Sequence, residues 1–118
     1  RINRLISQKE PEDAMEYDKD IFKQIFNKIV YLYPEKKIFV VYLPETTCFE
    51  KRPIECSQRF NEISKFSNKI IYLNFFEYLK NNFKNYREMY ALGQDRAHFS
   101  PIGYNQLVKF INDKIQKH

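Results

Sequence analysis

Hydrophobic residues follow two different patterns along this chain, and these patterns distinguish predicted helices from predicted strands. Between residues 13 and 33, apolar residues return at spacings of three and four, which predicts a helix that ends at Pro34. Segments 37–43 and 69–74 are instead continuous runs of β-branched and aromatic residues. Such runs are typical of strands that are covered on both faces, as in parallel sheets.

Helical spacing also appears in the rest of the chain. The C-terminal helix begins after Ser100, which is a good N-cap, and Pro101 suits the first helical position. The order helix, strand, helix, strand, helix, helix indicates an α/β protein. Two further segments are predicted to be helices and two to be irregular: helices at 57–66 and 75–83, a loop at 46–57, and irregular chain at 86–93.

The two predicted strands have the pattern of strands in a sheet that contains more than two strands. A two-stranded parallel sheet has two open edges and cannot cover strands that are apolar on both faces. We therefore expect residues 13–118 to be the C-terminal part of one larger α/β domain. The missing strands would lie upstream or in a partner chain. Residues 1–12 are polar and mixed, which is typical of a linker or a frayed start.

Charge and composition exclude several classes of protein. The chain has 118 residues and a formal net charge of +5, but its basic residues alternate with acidic ones, as in Glu35-Lys36-Lys37. This mixture argues against a nucleic-acid-binding protein and leaves a basic module for acidic polymers as a minor alternative. No apolar run approaches the 18 residues or more that a membrane span needs, so no span is expected.

The two cysteines, Cys48 and Cys56, lie in the predicted loop. A zinc site would need more Cys or His residues at ligand spacing, and both histidines are far away in sequence, so we expect no metal. Two alternatives remain, a local disulfide and a pair of unrelated thiols. A disulfide would favour a cell-envelope or secreted protein.

The segment 93–104 holds the internal histidine, His98, and the carboxylate of Asp95 three residues before it. In a turn, this spacing lets the carboxylate orient the imidazole, whose other nitrogen then accepts a proton from a nucleophile. Such a pair is half of an acyl-transfer triad. The alternative is that His98 is a helix-entry residue bonded to Asp95 with no catalytic role. The chain's two glycines, Gly93 and Gly103, bracket the pair.

The residues around this pair carry a family resemblance. Asp95-x-x-His98, then Phe-Ser-Pro-x-Gly-Tyr and an amphipathic helix, resembles the last conserved block of the SGNH (GDSL-like) esterase and acyltransferase superfamily. Segments 39–44 and 70–74 look like the two strands that precede that block. The resemblance implies a three-layer, flavodoxin-like α/β/α fold with a parallel sheet. This chain would supply its last strands and helices.

The resemblance also implies roles for residues that match. His98 would be the general base that activates a serine, and Asp95 would orient it. The family's Gly-Asp-Ser nucleophile block is absent from this sequence, and its oxyanion-hole blocks are unassigned. The expected function is therefore one part of a serine esterase or O-acyltransferase, without a cofactor, that acts on carbohydrate O-acetyl groups. The alternative is a non-catalytic SGNH-like binding or scaffold domain.

Residues that flank the pair are candidates for substrate contact. An arginine inside the motif is suited to an anionic group, and nearby tyrosines are suited to an ester or an acetylated carbohydrate. These candidates are Arg96, Tyr86, Tyr90 and Tyr104.

Overall fold

The computed structural model describes residues 19–91 and 97–118. Residues 19–32 are helical and are called α1. The later helices are α2 (Thr47–Glu50), α3 (Pro53–Gln58), α4 (Phe75–Asn82) and α5 (Pro101–Lys117), the strands are β1 (Ile38–Tyr42) and β2 (Ile70–Asn74), and 3₁₀ turns span Asn61–Lys65 and Tyr86–Met89.

The chain is mixed α/β, and within its described residues β1 and β2 form a two-stranded parallel sheet. All five residues of β1 are half-buried, whereas Ile70 and Leu73 of β2 are buried. β1 is therefore less well covered than its apolar sequence predicts. Among the described residues, no helix combines the length and the apolar character that crossing a membrane requires.

The chain divides into two compact units. The first combines residues 19–38 with Phe60–Ile71 and is called the α1 unit. The second combines Phe39–Arg59 with the described part of Tyr72–His118 and is called the α5 unit. Of the residues predicted to be functional, all but Asp95 and Arg96 fall in the described part of the α5 unit.

The α1 unit is held together by aromatic contacts. The Phe22 ring lies 5.3 Å from that of Phe60, and the Phe26 ring lies 6.4 Å from that of Phe66. An ion pair of 3.5 Å joins Lys19 of α1 to Glu62 of the first 3₁₀ turn. The helical period predicted for α1 is confirmed.

The α5 unit contains a densely aromatic core. Phe75 and Phe76 open α4 with no exposed surface, and Leu79 is 1% exposed one turn later. The Phe110 ring of α5 lies 5.5 Å from the Phe75 ring, so α4 and α5 pack through aromatic side chains. Asn74 caps α4, since its Oδ1 accepts hydrogen bonds from the backbone N–H groups of Phe76 and Glu77.

The predicted helix at 57–66 is wrong. The helical conformation stops at Gln58, and Phe60 adopts a left-handed backbone with φ of 61° before the 3₁₀ turn begins. An L-residue loses about 1–2 kcal/mol in that conformation, so packing of the Phe60 ring must offset the cost. The predicted loop at 46–57 is also wrong, since it contains α2 and most of α3.

Candidate functional site

The candidate site is built at the carboxyl end of β1. The chain leaves this strand through Leu43 and Pro44, and the buried Tyr90 hydroxyl donates a 2.7 Å hydrogen bond to the Pro44 carbonyl oxygen. Tyr90 comes directly after the second 3₁₀ turn. In open α/β sheets, ligands bind beyond the carboxyl ends of the strands. This hydrogen bond therefore ties a later part of the chain to the place where a ligand is expected.

Tyr90 belongs to a short antiparallel ribbon that carries His98. Tyr90 and Phe99 form an antiparallel bridge, and their rings lie 5.1 Å apart. The Ala91 N–H donates to the His98 carbonyl at 2.9 Å, and the Ser100 N–H donates to the Met89 carbonyl at 2.9 Å. These bonds fix the backbone on both sides of His98.

The ribbon gives His98 and its neighbour Phe99 opposite environments. Successive side chains of an extended strand point to opposite faces. Phe99 is 6% exposed and packs in the core, whereas His98 is exposed. An exposed imidazole on a fixed backbone is able to take a proton from a bound nucleophile and return it to a leaving group.

The start of α5 fixes the ribbon from its other side. The Ser100 hydroxyl accepts a 3.1 Å hydrogen bond from the Gly103 N–H and donates to the Glu88 carbonyl. A Cβ at Gly103 would lie only 2.9 Å from the Met89 carbonyl carbon and closer still to its oxygen. Glycine is therefore needed for α5 to approach the second 3₁₀ turn. The predicted Ser100 cap is confirmed.

Three predicted residues of the motif, Gly93, Asp95 and Arg96, lie outside the described residues. The pairing of Asp95 with His98 and the role of Arg96 in anion binding stay predictions. The described residues on either side are Ala91, whose N–H is bonded to the His98 carbonyl, and Ala97, which precedes His98.

Tyr86 lies against α2. Its ring stacks parallel to the Phe49 ring at a centroid distance of 4.6 Å, and its hydroxyl donates a 2.6 Å hydrogen bond to Glu50 Oε2. This hydrogen bond to a carboxylate raises the pKa of the Tyr86 hydroxyl above its ordinary value. Tyr86 is thus held as a neutral hydrogen-bond donor beside α2.

The other two candidate tyrosines differ in exposure. Tyr90 is 4% exposed, and its burial raises the pKa of its hydroxyl. It supports the ribbon from within the core. Tyr104 is 49% exposed and packs edge-on against Phe99 at 5.6 Å, so an accessible aromatic ring borders the residue next to His98.

Cys48 and Cys56 are joined by a disulfide that links α2 to α3, with their Cα atoms 5.7 Å apart. The described chain contains no free cysteine. The Tyr42 hydroxyl lies 3.2 Å from Cys48 Sγ, and burial raises the pKa of this hydroxyl. The disulfide therefore lies beside the last residue of β1.

A concave surface of about 370 Å³ lies away from these residues, where β2, α4 and α5 meet. None of the predicted site residues lines it. Much of its polar lining is engaged within the protein, since Asn74 caps α4 and the Tyr78 hydroxyl donates to Gln106. Within the ranges 19–91 and 97–118, no group of three or more His, Cys, Asp and Glu side chains is placed to hold a metal ion.

Two residues of the site, Phe49 and Glu50, contact Tyr86 from α2 and are not revealed by the sequence pattern. Both fall in the segment that was predicted to be a loop. A four-residue helix is shorter than two full turns, so periodicity has too few positions to reveal it.

Comparison with known proteins identifies no relative: no family model, curated protein or solved structure matches the chain. The SGNH resemblance therefore rests on residues 95–104 and on the strands that precede them.

Proposed function

We propose that this chain is the histidine-bearing part of a serine esterase or O-acyltransferase with an SGNH-like three-layer fold. The observation that carries the proposal is the position of His98. It is exposed on a ribbon whose Tyr90 is hydrogen-bonded to Pro44, directly beyond the carboxyl end of a parallel strand. That position is where α/β enzymes place their ligands.

In the proposed chemistry, His98 acts first as a general base and then as a general acid. A serine hydroxyl attacks the ester carbonyl while its proton passes to the His98 imidazole, and the imidazolium then protonates the departing alcohol. Water or an acceptor hydroxyl releases the acyl group from the serine by the same route in reverse. Asp95 orients the imidazole. The proposal requires the serine and the oxyanion-hole donors to come from outside these 118 residues, because this sequence contains no Gly-Asp-Ser block.

The proposed substrate is an O-acetyl group on a carbohydrate. Support from the structure comes from Tyr104, whose accessible ring borders Phe99, and from the Tyr86 hydroxyl beside Glu50. Aromatic faces and carboxylate-bonded hydroxyls suit the apolar faces and the hydroxyl groups of a sugar ring. The choice between water and a hydroxyl as acyl acceptor depends on residues beyond those described.

The test uses the product of the complete reading frame and an acetyl-ester chromogenic substrate. We expect His98→Ala to lower kcat/KM by about 10³-fold or more, because the serine loses its base. His118→Ala is the matched control, since it removes the other histidine, which is exposed at the end of α5, and it should retain the wild-type rate.

A serine-directed fluorophosphonate probe gives a second measurement. The complete protein should be labelled, and His98→Ala should be labelled far more slowly. If the complete protein is neither labelled nor active, or if His98→Ala matches the wild-type rate, the enzyme proposal is wrong. The non-catalytic binding domain then replaces it.

A further inference from the structure

The Cys48–Cys56 disulfide lies at the centre of a buried cluster. Both cysteines are 2% exposed and cluster with Phe76 of α4, while Tyr42 and Phe49 pack against them. The disulfide thus contacts the end of β1 and the first turn of α4. The disulfide is therefore part of the hydrophobic core and does not merely connect two exposed loops.

Both strands are tied to this cluster at their carboxyl ends. The Tyr42 hydroxyl, at the end of β1, lies within hydrogen-bond distance of both sulfur atoms, at 3.2 Å from Cys48 and 3.5 Å from Cys56. Asn74, at the end of β2, donates from Nδ2 to the Cys56 carbonyl at 2.9 Å. The cluster therefore occupies the edge of the sheet at which the candidate site lies.

Phe49 extends from the disulfide to the ribbon. It follows Cys48 in α2, and its ring lies 4.8 Å from Phe76, 4.6 Å from Tyr86 and 6.1 Å from Tyr90. Tyr90 is the bridge partner of Phe99, the neighbour of His98. One ring therefore contacts both the disulfide cluster and the support of the ribbon.

α2 needs tertiary support for its stability. It has four residues, and no side chain caps its N-terminus. A helix this short does not persist in water without tertiary support, because the cost of nucleation exceeds what its few hydrogen bonds return. Phe49 is consequently held in place by the covalent link of α2 to α3 and by ring packing.

We propose that Phe49, fixed by the Cys48–Cys56 disulfide, is a positioning residue for His98, so that the site is competent only with the disulfide intact. This inference rests on the proposed function. A dithiol opens the bridge by thiolate attack on one sulfur and resolution of the mixed disulfide by its second thiol. The protein gains two electrons and two protons as two thiols, and the reductant becomes a disulfide. α2 then loses its covalent link to α3, and the Phe49 ring no longer packs against the Tyr90 ring.

The first experiment follows the environment of His98 by NMR in the product of the complete reading frame, the same protein that is used for the kinetics. The Cε1–H signal of His98 is assigned by its loss in His98→Ala. We expect dithiothreitol to shift this signal, and Phe49→Leu to shift it in the same direction without reductant. Phe22→Leu is the matched control, because Phe22 is also a half-buried aromatic residue but belongs to the α1 unit.

The second experiment measures kinetics of the complete reading-frame product with the acetyl ester. Phe49→Leu should lower kcat by about tenfold or more with little change in KM, because misplacement of a catalytic group mainly affects the transition state. Cys48→Ala/Cys56→Ala should have a similarly low kcat and should not respond to dithiothreitol. Circular dichroism and a melting curve identify any variant that fails to fold, and dithiothreitol treatment of the wild-type protein then serves as the test.

The outcomes separate the two proposals. An active enzyme whose kcat and His98 signal are unchanged in Phe49→Leu and under dithiothreitol overturns the positioning role alone. A shifted His98 signal in a protein without esterase activity overturns the proposed function but retains the structural coupling. A lower kcat with an unmoved His98 signal also overturns the positioning role.

Discussion

The two compact units bury their aromatic residues to very different degrees. In the α5 unit, Phe75 and Phe76 have no exposed surface, and a disulfide lies against Phe76. In the described part of the α1 unit, Ile63 and Ile70 are buried, but no residue of α1 is. The candidate site therefore lies in the more tightly packed unit. Deletion of a buried aromatic ring should therefore cost more stability in the α5 unit than in the α1 unit.

The largest expected effect comes from Phe76→Ala, which deletes a fully buried ring next to the disulfide. We expect this variant to lose about 3–5 kcal/mol of unfolding free energy, because the removed ring leaves a cavity that the surrounding core closes only in part. Urea denaturation followed by circular dichroism measures the loss.

Phe22→Ala provides the comparison in the α1 unit. Its ring is half-buried, so the expected loss is about 1 kcal/mol. Equal losses for the two variants would contradict the packing difference between the units. Hydrogen exchange should likewise show slower exchange for the amides of α4 than for those of α1.

Gly103→Ala is expected to have an intermediate effect. Alanine favours a helix by about 1 kcal/mol over glycine, but its Cβ would collide with the backbone carbonyl of Met89. We expect a net loss of about 2 kcal/mol, since overpacking against a backbone atom forces α5 to shift. Asn105→Ala, at an exposed position of α5, is the control and should stabilise the protein slightly. A stabilised Gly103→Ala protein would show that the ribbon and α5 are not closely packed.

Tyr90→Phe has the smallest expected effect, and the effect depends on pH. At pH 7 the variant should lose about 1 kcal/mol, because the hydrogen bond to Pro44 is gone. Burial raises the pKa of the Tyr90 hydroxyl in the folded state, so the neutral form is favoured there. That contribution is complete below the unfolded pKa of about 10 and is lost as pH rises above it, when the unfolded chain ionises first.

Urea denaturation at pH 7 and again above pH 10 tests whether the unfolding free energy falls with rising pH as expected. The wild-type protein should lose stability more steeply than Tyr90→Phe, so the difference between the two proteins should narrow as pH rises. A difference that stays constant over this range would show that the folded-state pKa of Tyr90 is not raised.

Sequence analysis predicted elements whose determinants are local. β1 and β2 follow from their apolar runs, and α5 follows from Ser100 and Pro101 at its start. The exposure of His98 and the burial of its neighbour Phe99 could not be predicted in this way. They follow from the antiparallel ribbon, which depends on the pairing of Tyr90 with Phe99. That pairing joins residues nine apart through backbone hydrogen bonds, and the Tyr90 hydroxyl is bonded to the Pro44 carbonyl 46 residues away, so neither contact is encoded in a local repeat of apolar residues.

Other parts of the fold depended on contacts that a local pattern does not contain. The sequence around Phe60 has helical spacing, but Phe60 adopts a left-handed conformation, and its ring packs against Phe22 of α1. α2 and α3 are short consecutive helices joined by a disulfide, and a periodic pattern does not show whether two cysteines are bonded. For the candidate site, His98 was selected from the sequence, but Phe49 and Glu50, which contact Tyr86 from α2, were not.

The left-handed backbone at Phe60 also bears on the order in which the α1 unit folds. Its cost of about 1–2 kcal/mol is incurred by the turn itself, whereas the compensating contact comes from α1, more than 30 residues earlier. The turn is therefore a poor nucleus. We expect it to form together with the docking of α1, late in the folding reaction, so that Phe60→Ala would mainly accelerate unfolding and leave the folding rate nearly unchanged.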